Sequence, residues 1–315
     1  MKTKLITFAI PVFNETEIMD ELITRMTAVA DSLKNKYETE IILIDDGSND
    51  GTWNRILSAG EKDPRFKGIK LAGNSGQQAA LMCGYKFANG DAVITIDADM
   101  QDPPEVSLEL IEKWENGAEV VFAIRKSREG EPAWRLALIK LYYKFRNKFI
   151  KTYVPGNSGD FRLLDKKVVK ALNTMPEKHP YIRGIIGKIG FKRDYVYYDR
   201  KPRSAGEGKY PLSKLIKLGA DGIFSMSSAP LKLAYYFVAI FTLIFFGYLV
   251  FVMVNCNSRG ASFPSFEIAL AFLIYFSAIM IFIFLGIVGE YIGRIYDETK
   301  NRPLYFVDKT INFDD

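Results

Sequence analysis

The feature that most constrains this chain is a pair of uncharged apolar runs in its last third, Leu233 to Val254 and Ile268 to Gly289. At about 1.5 Å of rise per residue, each makes a helix of roughly 33 Å, enough to cross the hydrocarbon core of a bilayer. Buried core helices would be the other use of such runs, but two of this length without a charge are rare in a soluble domain. They predict a two-helix transmembrane hairpin over 231–290. Its connecting loop, Asn255 to Glu267, carries a single basic residue, Arg259. The opposite flanks are basic: Arg200, Lys201, Arg203, Lys209, Lys214, Lys217 and Lys232 precede the hairpin, and Arg294, Lys300 and Arg302 follow it. Lys and Arg favour the cytoplasmic side, so the N-terminal domain and both chain ends are expected there. Residues 211–230 carry Leu212, Leu215, Ile216, Leu218 and Ile223 and are expected to lie amphipathically in the interface. Residues 291–315 form the expected cytoplasmic tail.

What precedes the hairpin reads as a soluble domain over 1–210. The chain has 315 residues, 48% hydrophobic and 25% charged, which excludes a disordered polymer. Its first apolar run, LITFAI, is too short for a signal peptide and reads as a buried strand. Ile18, Leu22, Met26, Val29 and Leu33 then recur at helical spacing. Strands are predicted over Glu40–Ile44, Gly68–Leu71, Ala92–Ile96, Glu119–Ile124 and Phe161–Leu164, with an aromatic strand at VYYDR. Helices are predicted after Gly51, over Gln77–Ala88 and Glu105–Asn116, and over the basic, aromatic segment 132–150. Alternating strands and helices imply an α/β domain with a mainly parallel sheet covered on both faces. Ligands of such sheets sit beyond the carboxyl ends of the strands. The polar clusters fall there, after Ile10, Ile44 and Ile96.

Several chemistries are excluded early. One histidine, His179, leaves no material for a His-based metal centre or a Ser-His-Asp triad, and it is expected in a loop or at a helix start. Two distant cysteines, Cys83 and Cys256, make neither a disulfide framework nor a zinc site. Cys83 is expected to be a reduced core residue. There is no glycine loop of the Walker or dinucleotide-binding kind.

Carboxylates remain. Asp97 and Asp99 lie two residues apart at a strand end, so both can face one hard divalent cation, Mg²⁺ or Mn²⁺. A solvated acidic turn would look the same. Gln101, Asp102 and Pro103-Pro104 extend the cluster. Asp45 and Asp46 end another strand, where a carboxylate can accept hydrogen bonds from a base N–H or ribose hydroxyls. Ser48 or Asp50 can cap the following helix. Pro11, Val12 and Phe13 supply an apolar wall, with Asn14 and Glu15 beside it. A metal on carboxylates, in place of a glycine loop, points to a sugar nucleotide more than to ATP or NAD.

The segments IPVFNE, DDGSNDGT, Asn74-Ser75-Gly76-Gln77, GDAVITIDADMQDPP, GDFRLLDKKVV, YIRG and RKPRSAGEGKYPLSKL, in this order, resemble the family 2 glycosyltransferases that act on polyprenyl phosphates. Bacterial bactoprenol glucosyltransferases and dolichyl-phosphate mannose synthases belong to that family. The resemblance covers residue 5 to about 230, and the two apolar spans match the bacterial branch. It implies a GT-A fold, with Asp97, Asp99 and Gln101 near the metal. It implies Pro11, Phe13, Glu15, Asp45, Asp46, Asn74, Gln77 and Asp97 around the nucleotide. Asp160, Asp99, Arg125 and Arg135 would serve catalysis, and Arg200, Arg203 and Lys209, together with Arg125 and Arg135, would hold the acceptor phosphate. Anchoring to anionic lipid is the other use of that last basic set. Three positions depart from the family pattern on the acceptor side: Gly208 precedes the lysine of the G-x-S-K-Y segment, Lys188 follows YIRG in place of a Trp, and Ile139 stands where Ser or Thr is common.

The resemblance thus implies inverting transfer of a hexose, glucose from UDP-glucose first, to a polyprenyl phosphate in the bacterial plasma membrane. Aminoarabinose and mannose are the alternative sugars, and a homo-oligomer such as a tetramer is the expected assembly. A processive polysaccharide synthase would need a Q-x-x-R-W segment, and Trp53, Trp114 and Trp134 are all in other contexts. A non-catalytic membrane sensor of sugar nucleotides is opposed by the intact Asp97, Asp99 and Asp160.

Overall fold

The computed structural model describes residues 3–126, 155, 157–175, 177–178, 180–200, 224, 227–259 and 264–313. The basic helix expected over 132–150, His179, the stretch 201–223 and the remainder of the interfacial segment apart from Phe224 and 227–230 lie outside them. The chain divides into two compact units, Met1–Gly219 with Pro303–Asp315, and Ala220–Arg302.

The first unit is built on a mixed, mostly parallel eight-stranded sheet in the order β7-β5-β6-β4-β1-β2-β3-β8. β1 (Lys4–Val12), β2 (Tyr37–Asp45), β3 (Phe66–Leu71) and β4 (Ala92–Thr95) run parallel around β1. α1 (Met19–Leu33), α2 (Thr52–Lys62) and α3 (Gln77–Phe87) are their crossovers. A 3₁₀ turn at Pro104–Val106 leads into α4 (Ser107–Glu115), the helix expected from Glu105. β5 (Val120–Arg125) pairs antiparallel with β6 (Ser158–Asp165) and parallel with β7 (Arg193–Tyr198). Two short helices, α5 (Lys166–Asn173) and α6 (Ile182–Lys188), lie between β6 and β7.

Strand parity explains the burial of both sheet faces, since successive side chains point to opposite sides. Ile6, Phe8 and Ile10 of β1 and Ile41 and Leu43 of β2 join one core with α1, α2 and α4. Ala9, Ile42 and Ile44 join the other, with α3, α5 and α6. The near-continuous apolar runs of these strands are the pattern that two covered faces require.

The segment 291–315, expected as a tail, is more structured than that. The second long helix runs through Thr299, and β8 (Val307–Ile311) then pairs antiparallel with β3 at the sheet edge. Asn312 fastens it, its Nδ2 donating to Gly60 O at 2.9 Å and Phe66 O at 2.8 Å. VDKTI has two charges and an exposed face, so it carries little strand signal of its own. β3 begins at Phe66 and β6 at Ser158, earlier than their apolar runs indicate.

The second unit contains α7 (Ala229–Arg259) and α8 (Pro264–Thr299), longer than the two uncharged runs at both ends. Both are long and apolar enough to cross a membrane. They meet through Phe237–Phe284 and Phe241–Phe276 ring contacts. Tyr235, Leu243, Ile274 and Phe282 are among the large apolar side chains left exposed along them, which is what a lipid-facing surface needs.

Candidate active site

β1, β2 and β4 end on the same side of the sheet, β1 and β2 level at Val12↔Asp45 and β4 opposite Ala9. The loops that leave these ends are stapled to one another. Asn14, at φ 53°, donates its backbone N–H to Ser48 Oγ, and its Oδ1 accepts from Asn49 N. Thr16 N donates to Asp50 Oδ2, and Glu15 N to Thr52 Oγ1. Ser48 therefore joins two loops and does not cap α2. Asp50 does bond to its first turn, through Thr52 N and Oγ1. Burial opposes ionisation of Asp50, but these Thr52 and Thr16 hydrogen bonds bring it down to about 2.

Of the two carboxylates at the end of β2, Asp46 is bonded through both oxygens, while Asp45 keeps a buried Oδ2 with no hydrogen-bond partner among the described residues. Asp45 Oδ1 accepts from Ser48 N at 2.9 Å. Asp46 takes Ser75 N at 2.7 Å and Gly76 N at 2.9 Å, pinning the loop before α3. Burial raises the Asp46 carboxyl, with a further push from Asp45, against the lowering effect of those two N–H groups. Gly47, at φ +77°, lets that loop approach: a Cβ there would meet Gly73 C at 2.7 Å and Asn74 N at 2.8 Å. Asn74 is exposed, and Gln77, the first residue of α3, donates Nε2 to Asp97 Oδ1 at 2.8 Å. Pro11 is half-buried and Phe13 is 44% exposed at the rim, while Val12 belongs to the core.

Beyond β4 the chain turns sharply at Met100, a buried residue at φ 56°. Gln101 N donates to Asp99 Oδ1 at 3.2 Å, which folds the Asp97–Gln101 segment back on itself. A β6 strand antiparallel to β4 brings Asp160 up beside this segment. Asp97 is pushed up to about 7, by burial first and then by the charges of Asp160, Asp102 and Asp99. Among the described residues, no three His, Cys, Asp or Glu side chains are grouped to enclose a metal. A two-carboxylate site open to substrate phosphates fits Mg²⁺ or Mn²⁺ without such a cage. The crowded negative charge at Asp97 is the local property that a cation would relieve.

Guanidiniums face these carboxylates. Asp160, 1% exposed, receives Arg183 Nε at 3.0 Å on Oδ1 and Arg183 Nη2 at 2.8 Å on Oδ2, and is also paired with the buried Arg162. Burial alone would raise its pKa; Arg183 and Arg162 instead hold it well below the usual carboxylate range. Asp102, wholly buried, is paired with Arg125 at 2.9 Å and Arg200 at 3.3 Å. Arg200 Nη2 also lies 3.8 Å from Asp99 Oδ2. The structure thus brings Asp97, Asp99, Gln77, Asp160, Arg125 and Arg200 to one end of the sheet. Arg135, Arg203 and Lys209 lie outside the described residues. Sequence reasoning did not single out Arg183, Arg162 or Tyr198, although YIRG and GDFRL already contained the two arginines.

Residues 7–172 match the model of the glycosyl transferase family 2. The chain belongs to glycosyl transferase family 2. Its architecture is GT-A, with two apolar helices following the family 2 domain. It is 40% identical over 96% of its length to the uncharacterized glycosyltransferase YkcC of Bacillus subtilis, spanning 92% of that protein. It is 36% identical to the prophage bactoprenol glucosyl transferase homolog of Escherichia coli, over 96% of this chain and 98% of the other. The bactoprenol glucosyl transferase of Shigella phage SfII matches at 36% over 97% and 98%. Among solved structures, glucosyl-3-phosphoglycerate synthase from Mycobacterium tuberculosis in complex with Mn²⁺, UDP-glucose and phosphoglyceric acid is 18% identical at a TM-score of 0.48, covering 71% of this chain and 78% of that one.

Proposed function

We propose that this family 2 enzyme transfers glucose from UDP-glucose to the phosphate of a membrane polyprenyl phosphate, with inversion at the anomeric carbon. The observation that carries this reading is the meeting of opposite charges at one end of the sheet: Asp97 is crowded by Asp99, Asp102 and Asp160, while Arg125 and Arg200 share Asp102 and Arg200 reaches to 3.8 Å from Asp99. Such a site serves two anions, one met through a cation and one met directly by guanidiniums. Similarity to bactoprenol glucosyl transferases along the whole chain, both apolar helices included, supports a lipid as the second anion.

Asp97 and Asp99 would hold Mg²⁺ or Mn²⁺, which when bound offsets the charge that develops on the leaving diphosphate. The lipid phosphate oxygen forms its bond to the anomeric carbon as the bond to the diphosphate oxygen breaks, and the nucleoside diphosphate leaves. A phosphate monoester is largely dianionic at neutral pH, its second pKa lying near 6. The reaction then needs no general base. That agrees with an Asp160 already ionised and committed to Arg183 and Arg162. Asp160 therefore orients rather than abstracts a proton, and positioning supplies the rate. Asp46 and the loop it pins, with Asn74 and Gln77, would line the nucleotide side, with Pro11, Phe13, Glu15 and Asp45 at its floor and rim. Arg203, Lys209 and Arg135 would add to the acceptor side. The basic flanks 200–232 and 294–302 support a cytoplasmic catalytic unit.

The test uses the full chain in detergent with undecaprenyl phosphate, Mg²⁺ or Mn²⁺, and labelled UDP-glucose, UDP-galactose, UDP-GlcNAc or GDP-mannose offered separately. Metal-dependent label in the lipid fraction from UDP-glucose, lost in Asp99→Ala, is the expected result. Label from another donor alone would replace the sugar, and no lipid label from any donor would overturn the reading.

A further inference from the structure

The acidic and basic halves of the site are joined by one residue that neither half explains. Asp102 has no exposed surface, and its carboxylate meets three side chains. Tyr198 OH donates to Oδ1 at 2.6 Å, Arg125 donates Nη2 to Oδ2 at 2.9 Å, and Arg200 Nε lies 3.3 Å from Oδ1. A buried carboxylate needs one guanidinium for neutrality, and here it has two. The second guanidinium, Arg200, is exposed and lies 3.8 Å from Asp99, so it stays open to a further anion at this end of the sheet.

Tyr198 ties this arrangement together. Its ring is buried and packs edge-on against Phe161, with centroids 5.8 Å apart, a role that a phenylalanine would fill equally. The hydroxyl adds something packing does not require. It donates to Asp102 while accepting from Arg125 Nε at 3.1 Å. Tyr198 and Arg125 are register partners on adjacent parallel strands, so the backbone fixes their spacing. The Arg125 head is confined from its other side as well: a Cβ on Gly159 would come within 2.8 Å of Nη2. That places the guanidinium next to Asp160.

We propose that Asp102 and Tyr198 are positioning residues that set Arg125 and Arg200 as a paired cradle for the lipid phosphate, and that Asp102 takes no part in holding the metal. The proposal rests on the acceptor reading given above. Two guanidiniums fixed by a shared carboxylate and a hydroxyl lose little freedom when a second anion arrives, which is the benefit of preorganisation.

The experiment compares wild type, Tyr198→Phe and Asp102→Asn as full-length protein in detergent. It reads KM for undecaprenyl phosphate, KM for UDP-glucose, Mn²⁺ affinity from the EPR signal of free Mn²⁺, and Tm. Tyr198→Phe keeps the ring and protects the test against a variant that fails to fold. It should raise the lipid KM roughly three- to tenfold, as the hydroxyl's bonds to Asp102 and Arg125 are both lost. Its donor KM and Mn²⁺ affinity should stay near wild type, and its Tm should fall by only a few degrees. Asp102→Asn should raise the lipid KM further and keep its Mn²⁺ affinity, unlike Asp99→Ala. An unchanged lipid KM in Tyr198→Phe, an equal rise in donor KM, or lost Mn²⁺ affinity in Asp102→Asn would overturn the clamp. A wild type that labels no lipid refutes the acceptor reading first and the clamp with it; an active wild type with an unaffected Tyr198→Phe refutes the clamp alone.

Discussion

Gly47→Ala should do more harm than any other single methyl added to the donor side. Gly47 sits at φ +77°, where a side chain costs about 1–2 kcal/mol. The new Cβ would also fall 2.7 Å from Gly73 C, 2.8 Å from Asn74 N and 2.9 Å from Gly73 Cα, all backbone atoms with no rotamer to yield. Overpacking of this kind adds about 1–3 kcal/mol. The total is roughly 2–5 kcal/mol, or about 5–15 °C in Tm for a unit of this size. Gly51 supplies the control. It has φ +96°, but a Cβ there would meet only Thr16 Oγ1 at 3.8 Å. Gly51→Ala should therefore lose about 1–2 kcal/mol and no more. The 73–76 loop that Gly47→Ala must displace is held by Asp46 through Ser75 N and Gly76 N. Losing one of those bonds should raise the KM for the sugar nucleotide about tenfold. Differential scanning fluorimetry and donor titration on both variants measure the two effects. Equal Tm losses in the two variants, with an unchanged donor KM in Gly47→Ala, would refute the argument that close backbone approach at Gly47 builds the donor pocket.

Three further outcomes follow from the same geometry. Burial and the neighbouring carboxylates push Asp97 up to about 7, so a cation held there would displace its proton. Mn²⁺ affinity should fall about tenfold per pH unit below that value and level off above it, and isothermal titration in two buffers should show the released proton; a flat profile from pH 5.5 to 8 contradicts the shift. Arg183→Gln leaves Arg162 as the one ion-pair partner of Asp160 among the described residues and should lower stability by about 3 kcal/mol along with turnover, read by Tm and lipid labelling. Asn312→Ala removes the bonds to Gly60 O and Phe66 O and should cost about 1–3 kcal/mol and expose the C-terminal strand to protease; an unchanged digestion rate would mean β8 is held by its pairing to β3 without that side chain.

Much of the fold was legible because its signals are local. The apolar runs of β1, β2 and β4 and the helical spacing from Ile18 to Leu33 reappear as elements with small shifts at their ends. The shifts have a common cause. Strands extend as far as a neighbour offers hydrogen bonds, so β6 starts at Ser158 against β5 although its apolar run starts at Phe161. β8 left little trace, because an edge strand with one wet face needs few apolar residues. On the site, the carboxylates at strand ends were legible from position alone. Their partners were not, since Arg183 and Arg200 reach Asp160 and Asp102 across separations that no local pattern encodes.

The sequence by itself determined the class of object: a two-faced sheet ending in carboxylates, followed by two helices too apolar for water. Periodicity and run length report solvent on one side of a chain or its absence, and that is a property of each segment. The tertiary structure decided how charge is shared. It gave Asp160 two guanidiniums, left Asp97 crowded by carboxylates, and placed Asp102 between Arg125 and Arg200. Those pairings depend on which strands lie side by side. They set the ionisation of each group because Coulomb energy depends on distance and burial, neither of which is written along the chain.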